Sequence, residues 1–324
     1  MPAAAGIQPE KLLKELANLW VDLGKADSQN VDAGVLRACA MTLIVAADCD
    51  EDAQLAGETL AELIHENPSR AIVLRIDQHA GGSLDSRVFA QCWMPFGRRQ
   101  QICCEQIEIT ASADRLVDLP QIVLGLIAPD LPVVLWSRSA RISANADFAR
   151  LFPLADKIIV DSSGFPDPAS GLAFIQILRD AKICVADLAW TRLSRWREIV
   201  ALIFEDHLNR PFLASLARVE ISHRGSAVPV AARYLAGWFA QALGRPLETA
   251  FAVADSPLDE DVAAIAFSGA GFSASATLEA DSFAALRVND WTSRSPFPKI
   301  GEAELLNEEM AILGADPTFL RSIA

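Results

Sequence analysis

The chain has 324 residues, of which 52% are hydrophobic and 22% are charged. This composition is typical of a folded globular protein, and the length favours two domains over one. The formal net charge of −14 argues against nucleic acid or an anionic membrane as a partner. The N-terminal residues lack the pattern of a secretory signal, and no apolar run approaches the ~20 residues of a membrane helix. We therefore expect a cytoplasmic protein.

The first half of the sequence predicts an opening helix and then alternating strands and helices. Leucines and Trp20 recur at helical spacing over residues 9–23, and a polar, turn-rich segment follows. Strands are predicted over residues 43–47, 71–76, 86–93, 101–110, 132–136 and 157–160, and helices over residues 50–66, 113–127 and 146–152. The strands on either side of Pro95 have no helix between them, so this pair should be antiparallel. The pattern predicts a Rossmann-like three-layer half around a mixed sheet.

The second half begins after a stretch of turn residues over 161–168. Helices are predicted over residues 169–180, 193–206, 229–243 and 302–313, and strands over residues 183–186, 216–223, 249–254, 261–267, 273–278 and 283–288. The expected fold class is therefore α/β, with two α/β domains whose mixed sheets are flanked by helices. The predicted division is an N-terminal helix and linker (1–35), an N-terminal α/β domain (36–165), a C-terminal α/β domain (166–300) and a C-terminal helical tail (301–324).

One glycine-rich segment is similar to a dinucleotide-binding turn. Its sequence, Ser268-Gly-Ala-Gly-Phe-Ser-Ala, has the glycine spacing that lets backbone N–H groups approach a pyrophosphate. The residues after it are typical of a strand, whereas the motif requires a helix there. We therefore predict a hairpin turn.

The loop His79-Ala-Gly-Gly-Ser could bind an anion through its backbone N–H groups, although an ordinary exposed loop explains it as well. The other histidines, His65, His207 and His223, have no histidine partner at helical spacing and no adjacent nucleophile. No hydrolase, metalloprotease or phosphate-loop motif is present. The sequence predicts no catalytic residue, no cofactor site and no metal site.

The six cysteines include no C-x-x-C pair and no zinc-type spacing. Most lie in apolar or strand-like runs, where a reduced thiol behaves as a small hydrophobic side chain. Cys103 and Cys104 are adjacent, and neighbouring strand side chains point to opposite faces, so a bridge between these two would require distortion. We expect reduced thiols, in keeping with a reducing compartment.

The segment over residues 190–197 concentrates two tryptophans and three arginines, the residue types that dominate binding hot spots. Its members are Trp190, Arg192, Arg195, Trp196 and Arg197. One interpretation makes them a partner interface. The other places both tryptophans in the core and pairs the arginines with internal acids, since tryptophan is highly buried on average.

Six segments, in order over about residues 36–245, resemble the OpcA family of glucose-6-phosphate dehydrogenase assembly or effector proteins. They are Asn67-Pro-Ser-Arg, Gln101-Ile-Cys-Cys-Glu-Gln-Ile, Leu126-Ile-Ala-Pro-Asp-Leu-Pro-Val-Val-Leu-Trp, Ala155-Asp-Lys-Ile-Ile-Val-Asp-Ser, Ala186-Asp-Leu-Ala-Trp-Thr-Arg-Leu-Ser-Arg-Trp-Arg-Glu and Leu235-Ala-Gly-Trp. The sequence departs from the family at Glu66-Asn67, where a histidine often precedes the proline, and over the first 35 residues.

The resemblance implies a non-enzymatic partner that binds glucose-6-phosphate dehydrogenase and promotes its assembly or allosteric activation in the oxidative pentose phosphate pathway. The family has no established catalytic residues to transfer. Two alternatives stay open at this point: an enzyme on a Rossmann-like scaffold, and a stand-alone sensor of a sugar phosphate or nucleotide. Self-association cannot be derived from the sequence.

Overall fold

The structure is a computed structural model that describes residues 6–27, 35–48, 51–79, 81–94, 101–256 and 258–323. Within these ranges, every helix is too short or too polar to cross a membrane. The chain forms two compact units, and each is assembled from three separate segments. The first unit consists of residues 1–161, 180–186 and 302–314, and the second of residues 162–179, 187–301 and 315–324.

The first unit is built on an eight-stranded sheet. Its helices are α1 (Pro9–Asp27), α2 (Glu51–Leu63), α3 (Leu119–Leu124), α4 (Ala140–Ser143) and α9 (Glu302–Met310), with 3-10 turns at Ala113–Asp118 and Phe148–Leu154. Its strands are β1 (Val35–Arg37), β2 (Met41–Asp48), β3 (Ser69–Asp77), β4 (Leu84–Trp93), β5 (Gln101–Ser112), β6 (Val133–Ser137), β7 (Lys157–Val160) and β8 (Val185–Asp187). The strands lie in the order β1-β5-β3-β2-β6-β7-β8, and β4 pairs with β5.

The central strands are parallel and apolar on both faces. β2 is buried along nearly its whole length, as expected for a strand covered from both sides, and it pairs in parallel with β3 and β6. The path β5-β3-β2-β6-β7-β8 reproduces the doubly wound strand order 3-2-1-4-5-6 of Rossmann folds. The predicted α/β class, with a Rossmann-like first half, is confirmed.

The connection between β3 and β5 departs from this plan. β4 joins them, pairing antiparallel with β5, where a Rossmann fold would carry a crossover helix. The predicted hairpin is confirmed. On one face of β5, Glu105 accepts a hydrogen bond from Trp20 of α1 at 2.7 Å and forms an ion pair with Arg70 at 2.7 Å. Residues 104, 106 and 108 point to the other face, because side chains alternate along a strand.

A late segment of the chain completes the first unit. Lys157 in β7 is 3% exposed, and its ammonium donates to the backbone oxygens of Glu309 and Ile312 at 2.6 and 2.9 Å. The same group forms an ion pair with the Glu309 carboxylate at 2.7 Å. An unpaired buried ammonium is strongly unfavourable. α9 therefore supplies the partners that allow this lysine to be buried.

The second unit has a six-stranded sheet in the order β10-β9-β11-β12-β13-β14, in which only the β10–β9 pair is parallel. The strands are β9 (Leu216–His223), β10 (Glu248–Val253), β11 (Val262–Gly269), β12 (Phe272–Glu279), β13 (Phe283–Val288) and β14 (Trp291–Pro296). The helices are α5 (Pro168–Asp180), α6 (Leu188–Thr191), α7 (Ser194–Glu205), α8 (Val230–Leu243) and α10 (Pro317–Ser322), with 3-10 turns at Ser162–Gly164 and Arg210–Ser215.

One face of this sheet packs against helices. Burial alternates along β12, so that only every second side chain faces the core. Phe204 of α7 contacts Phe267 and Phe272 with ring centroids 5.4 and 5.6 Å apart, and Phe239 of α8 contacts Phe267 at 5.1 Å. These aromatic contacts tie both helices to β11 and β12.

The structure agrees with most predicted elements and differs from some. The glycine-rich segment is the predicted hairpin turn: β11 and β12 are antiparallel, and Gly271 has a φ of +70°, which favours glycine. The predicted helix over 113–127 is a 3-10 turn followed by the shorter α3, and that over 146–152 is a 3-10 turn. The predicted domain ranges differ from the two units in that residues 180–186 and 302–314 belong to the first.

The expectation of reduced thiols is wrong for one pair. Cys92 of β4 lies opposite Cys103 of β5 in the antiparallel register, and the two are joined by a disulfide. Cys39, Cys104 and Cys184 are free thiols. The register that places Cys92 opposite Cys103 is set by strand pairing, which the spacing of the cysteines in the sequence does not show.

Candidate functional site

In a sheet of this strand order, ligands bind at the edge formed by the carboxyl ends of the parallel strands, beside the point between β2 and β6 where the strand order reverses. We call this the carboxyl edge. Here that edge is occupied by the side chains of the protein. The carboxylate of Asp48, at the end of β2, accepts hydrogen bonds from Ser139 Oγ at 2.6 Å and Gln78 Nε2 at 3.2 Å. It also forms an ion pair with Arg141 at 3.0 Å. Asp48 thus has partners from two other segments of the first unit: Gln78 after β3, and Ser139 with Arg141 at the start of α4.

Arg138, just after β6, closes the same edge. Its guanidinium donates to the backbone oxygen of Asp52 at 2.6 Å and also pairs with the Asp52 carboxylate. A second ion pair joins it to Glu302 of α9 at 3.0 Å, and its Cζ lies 5.5 Å from the centroid of the Trp136 ring. The Arg138 side chain is only 11% exposed. The edge is therefore held together by an internal charge network.

The sequence after β2 differs in kind from a dinucleotide-binding turn. Such a turn uses glycines so that backbone N–H groups at a helix N-terminus can face a pyrophosphate. This chain has Cys49-Asp-Glu-Asp at that place, and Asp52 accepts a hydrogen bond from the backbone N–H of Asp48 at 3.0 Å. The Asp52 carboxylate, in the first turn of α2, is stabilised by the helix dipole and would repel a phosphate.

The His79 loop, which we considered as an anion site, lies after β3. The backbone N–H of Gly82 donates to both carboxylate oxygens of Asp114 at 3.1 Å. The hydroxyl of Ser112 and this N–H both lower the pKa of Asp114, so the carboxylate is the charged partner of the loop. An internal anion therefore takes the N–H group that an external one would need.

The histidines do not converge. His223 is 2% exposed with Nδ1 3.1 Å from the backbone oxygen of Arg224, His65 packs on Trp93, and His207 lies exposed beside Asp206. Across the residues with described positions, no group of three or more metal-ligating side chains comes together.

The 190–197 segment runs from α6 into α7 of the second unit. Asp187, fully buried, caps α6 by accepting from the backbone N–H of Ala189 at 3.0 Å. The same carboxylate accepts from the backbone N–H of Ser162 at 3.0 Å and from the Tyr234 hydroxyl at 2.6 Å. This buried carboxylate fixes the position at which the segment begins.

Both tryptophans of the segment are buried, each with 2% exposure. Trp190 donates from its indole nitrogen to Asp316 at 2.9 Å and packs against Tyr234 and Phe319, while Trp196 packs against Phe297 at 5.2 Å between ring centroids. Neither ring presents the surface that a partner would need. Their position agrees with the interpretation that assigned them to the core.

The three arginines lie in different surroundings. Arg197 lies over the Trp190 ring at 4.0 Å and donates to the Trp190 backbone oxygen and to Ser194 Oγ, so it stabilises the segment itself. Arg195 pairs with Glu198 at 3.0 Å, with side chains 33% and 59% exposed. Arg192 is half-buried and lines a small cavity of about 210 Å³ with Ser163 and Glu260.

The acidic side of this cavity was not predicted from the sequence. Asp259, Glu260 and Asp261 line it opposite Arg192. Burial raises the pKa of Glu260, and the nearby charge of Arg192 opposes that rise. The run Asp-Glu-Asp is visible in the sequence, but nothing there indicates that it folds back onto residue 192.

The fold and the carboxyl edge of the first unit define a class of protein. It has a Rossmann-type α/β unit and a second mixed-sheet unit, and its β2 is not followed by the glycine-rich turn that binds a dinucleotide. Residues 61–177 match the family model described as glucose-6-phosphate dehydrogenase subunit N-terminal domain. Residues 183–323 match that of the C-terminal domain. The chain belongs to this family, OpcA, as the resemblance in its sequence indicated.

Curated relatives carry the name OxPP cycle protein OpcA. The relative from Nostoc punctiforme is 30% identical over 185 residues, covering 56% of this chain and 39% of the relative. The relative from Synechocystis is 31% identical over 193 residues, covering 58% and 40%. The chain thus spans about two fifths of the length of these relatives.

Solved structures with a similar backbone fold include KijD10, a 3-ketoreductase from Actinomadura kijaniata. It has a TM-score of 0.47 and 8% identity, over 87% of this chain and 94% of the other. Biliverdin reductase from Synechocystis has a TM-score of 0.46 and 8% identity, over 87% and 96%. These similarities are too distant to indicate what the chain binds.

Proposed function

We propose that the chain is a non-catalytic partner that binds glucose-6-phosphate dehydrogenase and promotes its assembly or its allosteric activation. The observation that carries the proposal is the match to both subunit domains of the family, over most of the sequence. The proposal places both proteins in the cytoplasm, the location expected from the sequence.

The carboxyl edge of the first unit supports a non-catalytic role. A dehydrogenase of this strand order would use that edge to hold its nicotinamide cofactor. Here Arg138 binds Asp52 and Glu302 across it, and acidic residues replace the glycine turn. Opening the edge would break ion pairs and bring a pyrophosphate next to carboxylates.

As candidate contact residues we retain Arg192 and Arg195. Both keep part of their side chain accessible, whereas Trp190, Trp196 and Arg197 would act only by holding the two arginines in place. Arginine contributes to interfaces through several directed N–H donors, and the ion pair of Arg195 with the exposed Glu198 could be exchanged for one with a partner. A matching surface on the dehydrogenase would present carboxylates.

Activation by a binding partner is a linkage effect. The chain must bind the active form of the dehydrogenase more tightly than the less active form. A tenfold activation at subsaturating substrate requires about 1.4 kcal/mol of differential binding. One or two charge-assisted hydrogen bonds made in only one state provide this amount, at about 1.5–3 kcal/mol each.

The decisive experiment uses this chain and the glucose-6-phosphate dehydrogenase of the same organism, both purified. The dehydrogenase rate is measured against glucose 6-phosphate concentration with and without the chain, while light scattering follows the mass of the complex. We expect a heavier complex together with a lower half-saturation or a higher maximal rate. If no complex forms and the kinetics do not change at micromolar concentrations, the proposal is refuted.

A double variant tests the contact residues. Arg192→Ala with Arg195→Ala should weaken the complex at least about tenfold, given the energy of charge-assisted contacts, without changing the melting temperature of the chain. Arg294→Ala is the control, because Arg294 is exposed, lies in the same unit and pairs with Glu279 and Asp281. Equal affinity for both variants would exclude the 190–197 segment as an interface.

A further inference from the structure

A polar groove lies on the first unit. We call it the β3–β5 groove: its floor is formed by β3 and β5, one wall by α2 and the other by β4, and its volume is about 770 Å³. The groove exists because β4 replaces the crossover helix between β3 and β5, which would otherwise cover this face of the sheet. Small-molecule sites are typically about 300–1,000 Å³ in volume.

The floor of the groove contains a largely buried amide. Gln106 of β5 is 7% exposed and lines the groove. Its side chain makes no hydrogen bond to any residue whose position is described, whereas Glu105 and Glu108 on the same strand each have two arginine partners. A ligand that enters the groove can accept hydrogen bonds from this amide and donate to it.

The groove also carries an exposed arginine that can bind an anion. The Glu108 carboxylate accepts from Arg75 at 2.7 Å on one oxygen and from Arg87 Nη2 at 2.6 Å on the other. The Arg87 side chain is 65% exposed, and Nη1 donates to no other residue in the described ranges. This is the arrangement that accepts a further anionic group.

The remaining lining suits hydroxyl groups and a small carbon skeleton. Gln54 of α2 and Gln91 of β4 add amides, each of which can donate and accept. Phe89 of β4 supplies an apolar ring, and Arg87 Cζ lies 5.7 Å from its centroid. An anion fork, three amides and one aromatic face are the elements that recognise a phosphorylated or carboxylated sugar.

We propose that the β3–β5 groove binds a small polyhydroxylated anion, of the class of sugar phosphates and sugar acids, with its charged group on Arg87 and its hydroxyl groups on Gln106. The site is distinct from the 190–197 segment and lies within the first unit. Binding would let the concentration of a metabolite change the population of different forms of the chain. A ligand shifts an equilibrium toward the form that binds it more tightly.

The test uses the chain alone, so its result is independent of dehydrogenase binding. Thermal unfolding and calorimetric titration are recorded with glucose 6-phosphate, 6-phosphogluconate, inorganic phosphate and glucose. We expect saturable stabilisation by one or both sugar anions and much weaker effects from phosphate or glucose. Equal stabilisation by inorganic phosphate would overturn the sugar part of the proposal. If none of the four compounds stabilises the chain at 10 mM, the whole proposal is overturned. This concentration is about 1,000 times the Kd of a tight site.

Two variants locate the site. Arg87→Gln should weaken sugar-anion binding at least about tenfold, while Glu108 keeps Arg75. The matched control is Arg294→Gln: Arg294 also pairs with carboxylates and lies over a phenylalanine, at 4.6 Å from Phe283, but in the second unit. Loss of binding in both variants, or in neither, would contradict the assignment to the groove.

Gln106→Leu provides a second readout that does not depend on affinity. Replacing this amide by an apolar side chain should not lower the melting temperature of the ligand-free chain, while the sugar anion should no longer raise it. A lower melting temperature without ligand would mean that the amide has a partner inside the protein, and the inference would fail.

Discussion

Replacing Arg138 by alanine tests whether the carboxyl edge of the first unit is closed by an energetically significant network. The side chain of Arg138 is 11% exposed, and those of its partners Asp52 and Glu302 are 30% and 32% exposed. Because these pairs are shielded only in part, we take about 0–1 kcal/mol for each. The contact with Trp136 adds about 0.5–1 kcal/mol. The expected loss is about 2 kcal/mol in the free energy of unfolding.

The assay is thermal and urea unfolding of the full chain followed by circular dichroism. For a unit of this size, 1 kcal/mol corresponds to about 2–4 °C, so Arg138→Ala should lower the melting temperature by about 4–8 °C. Because the chain has two units, the transition that shifts should be that of the first.

Arg141→Ala is the matched control. Arg141 lies three residues further on and pairs with Asp48 at the same edge, but its side chain is 63% exposed. Its removal should cost less than about 1 kcal/mol. Equal losses for the two variants would refute the reasoning, since they would show that burial of Arg138 adds nothing.

Three further predictions concern other groups. Tyr234→Phe removes the 2.6 Å hydrogen bond to the buried Asp187, so urea unfolding should show a loss of about 1.5–3 kcal/mol; a loss under about 0.5 kcal/mol would contradict this role. Burial raises the pKa of Glu108, but its two arginine partners outweigh this and hold it below the ordinary value of 4.5. Stability from Glu108 is therefore present above about pH 4.5 and lost as the pH falls through the lowered pKa; Glu108→Gln should flatten the stability profile there, and an unchanged slope would speak against it. Burial raises the pKa of Cys104 to about 11, leaving about one thiolate in a thousand at pH 8; native iodoacetamide labelling read by mass spectrometry should miss it, and rapid labelling would be the opposing result.

The sheet of the first unit could be predicted from the sequence because its central strands are apolar on both faces. β2 and β6 appear as short uninterrupted hydrophobic runs, and the alternation with helices gives the class. β14, in contrast, is a polar edge strand whose sequence, Trp291-Thr-Ser-Arg-Ser-Pro, has no apolar alternation to detect. α10 has six residues, too few for a helical period to be recognised.

The sites depend on register, which a single sequence does not fix. Gln106 is notable only because Phe89 of β4 and Ala71 of β3 lie beside it in the paired strands, and the same register brings Arg87 opposite Glu108. The cluster of tryptophan and arginine over 190–197 could be located from composition. Composition could not tell that both rings point inwards and that only part of the arginine surface is accessible.

The division of each unit into three segments has a consequence for synthesis on the ribosome. The chain passes between the units five times, and the first unit is complete only when residue 314 has been added. Until α9 has emerged, Lys157 lacks Glu309 and Ile312, the partners that make its burial tolerable. Neither unit can therefore reach its folded state early in translation. We expect nascent chains released before α9 to be substrates for chaperones and proteases, and domain-by-domain folding from the N-terminus to be unavailable to this protein.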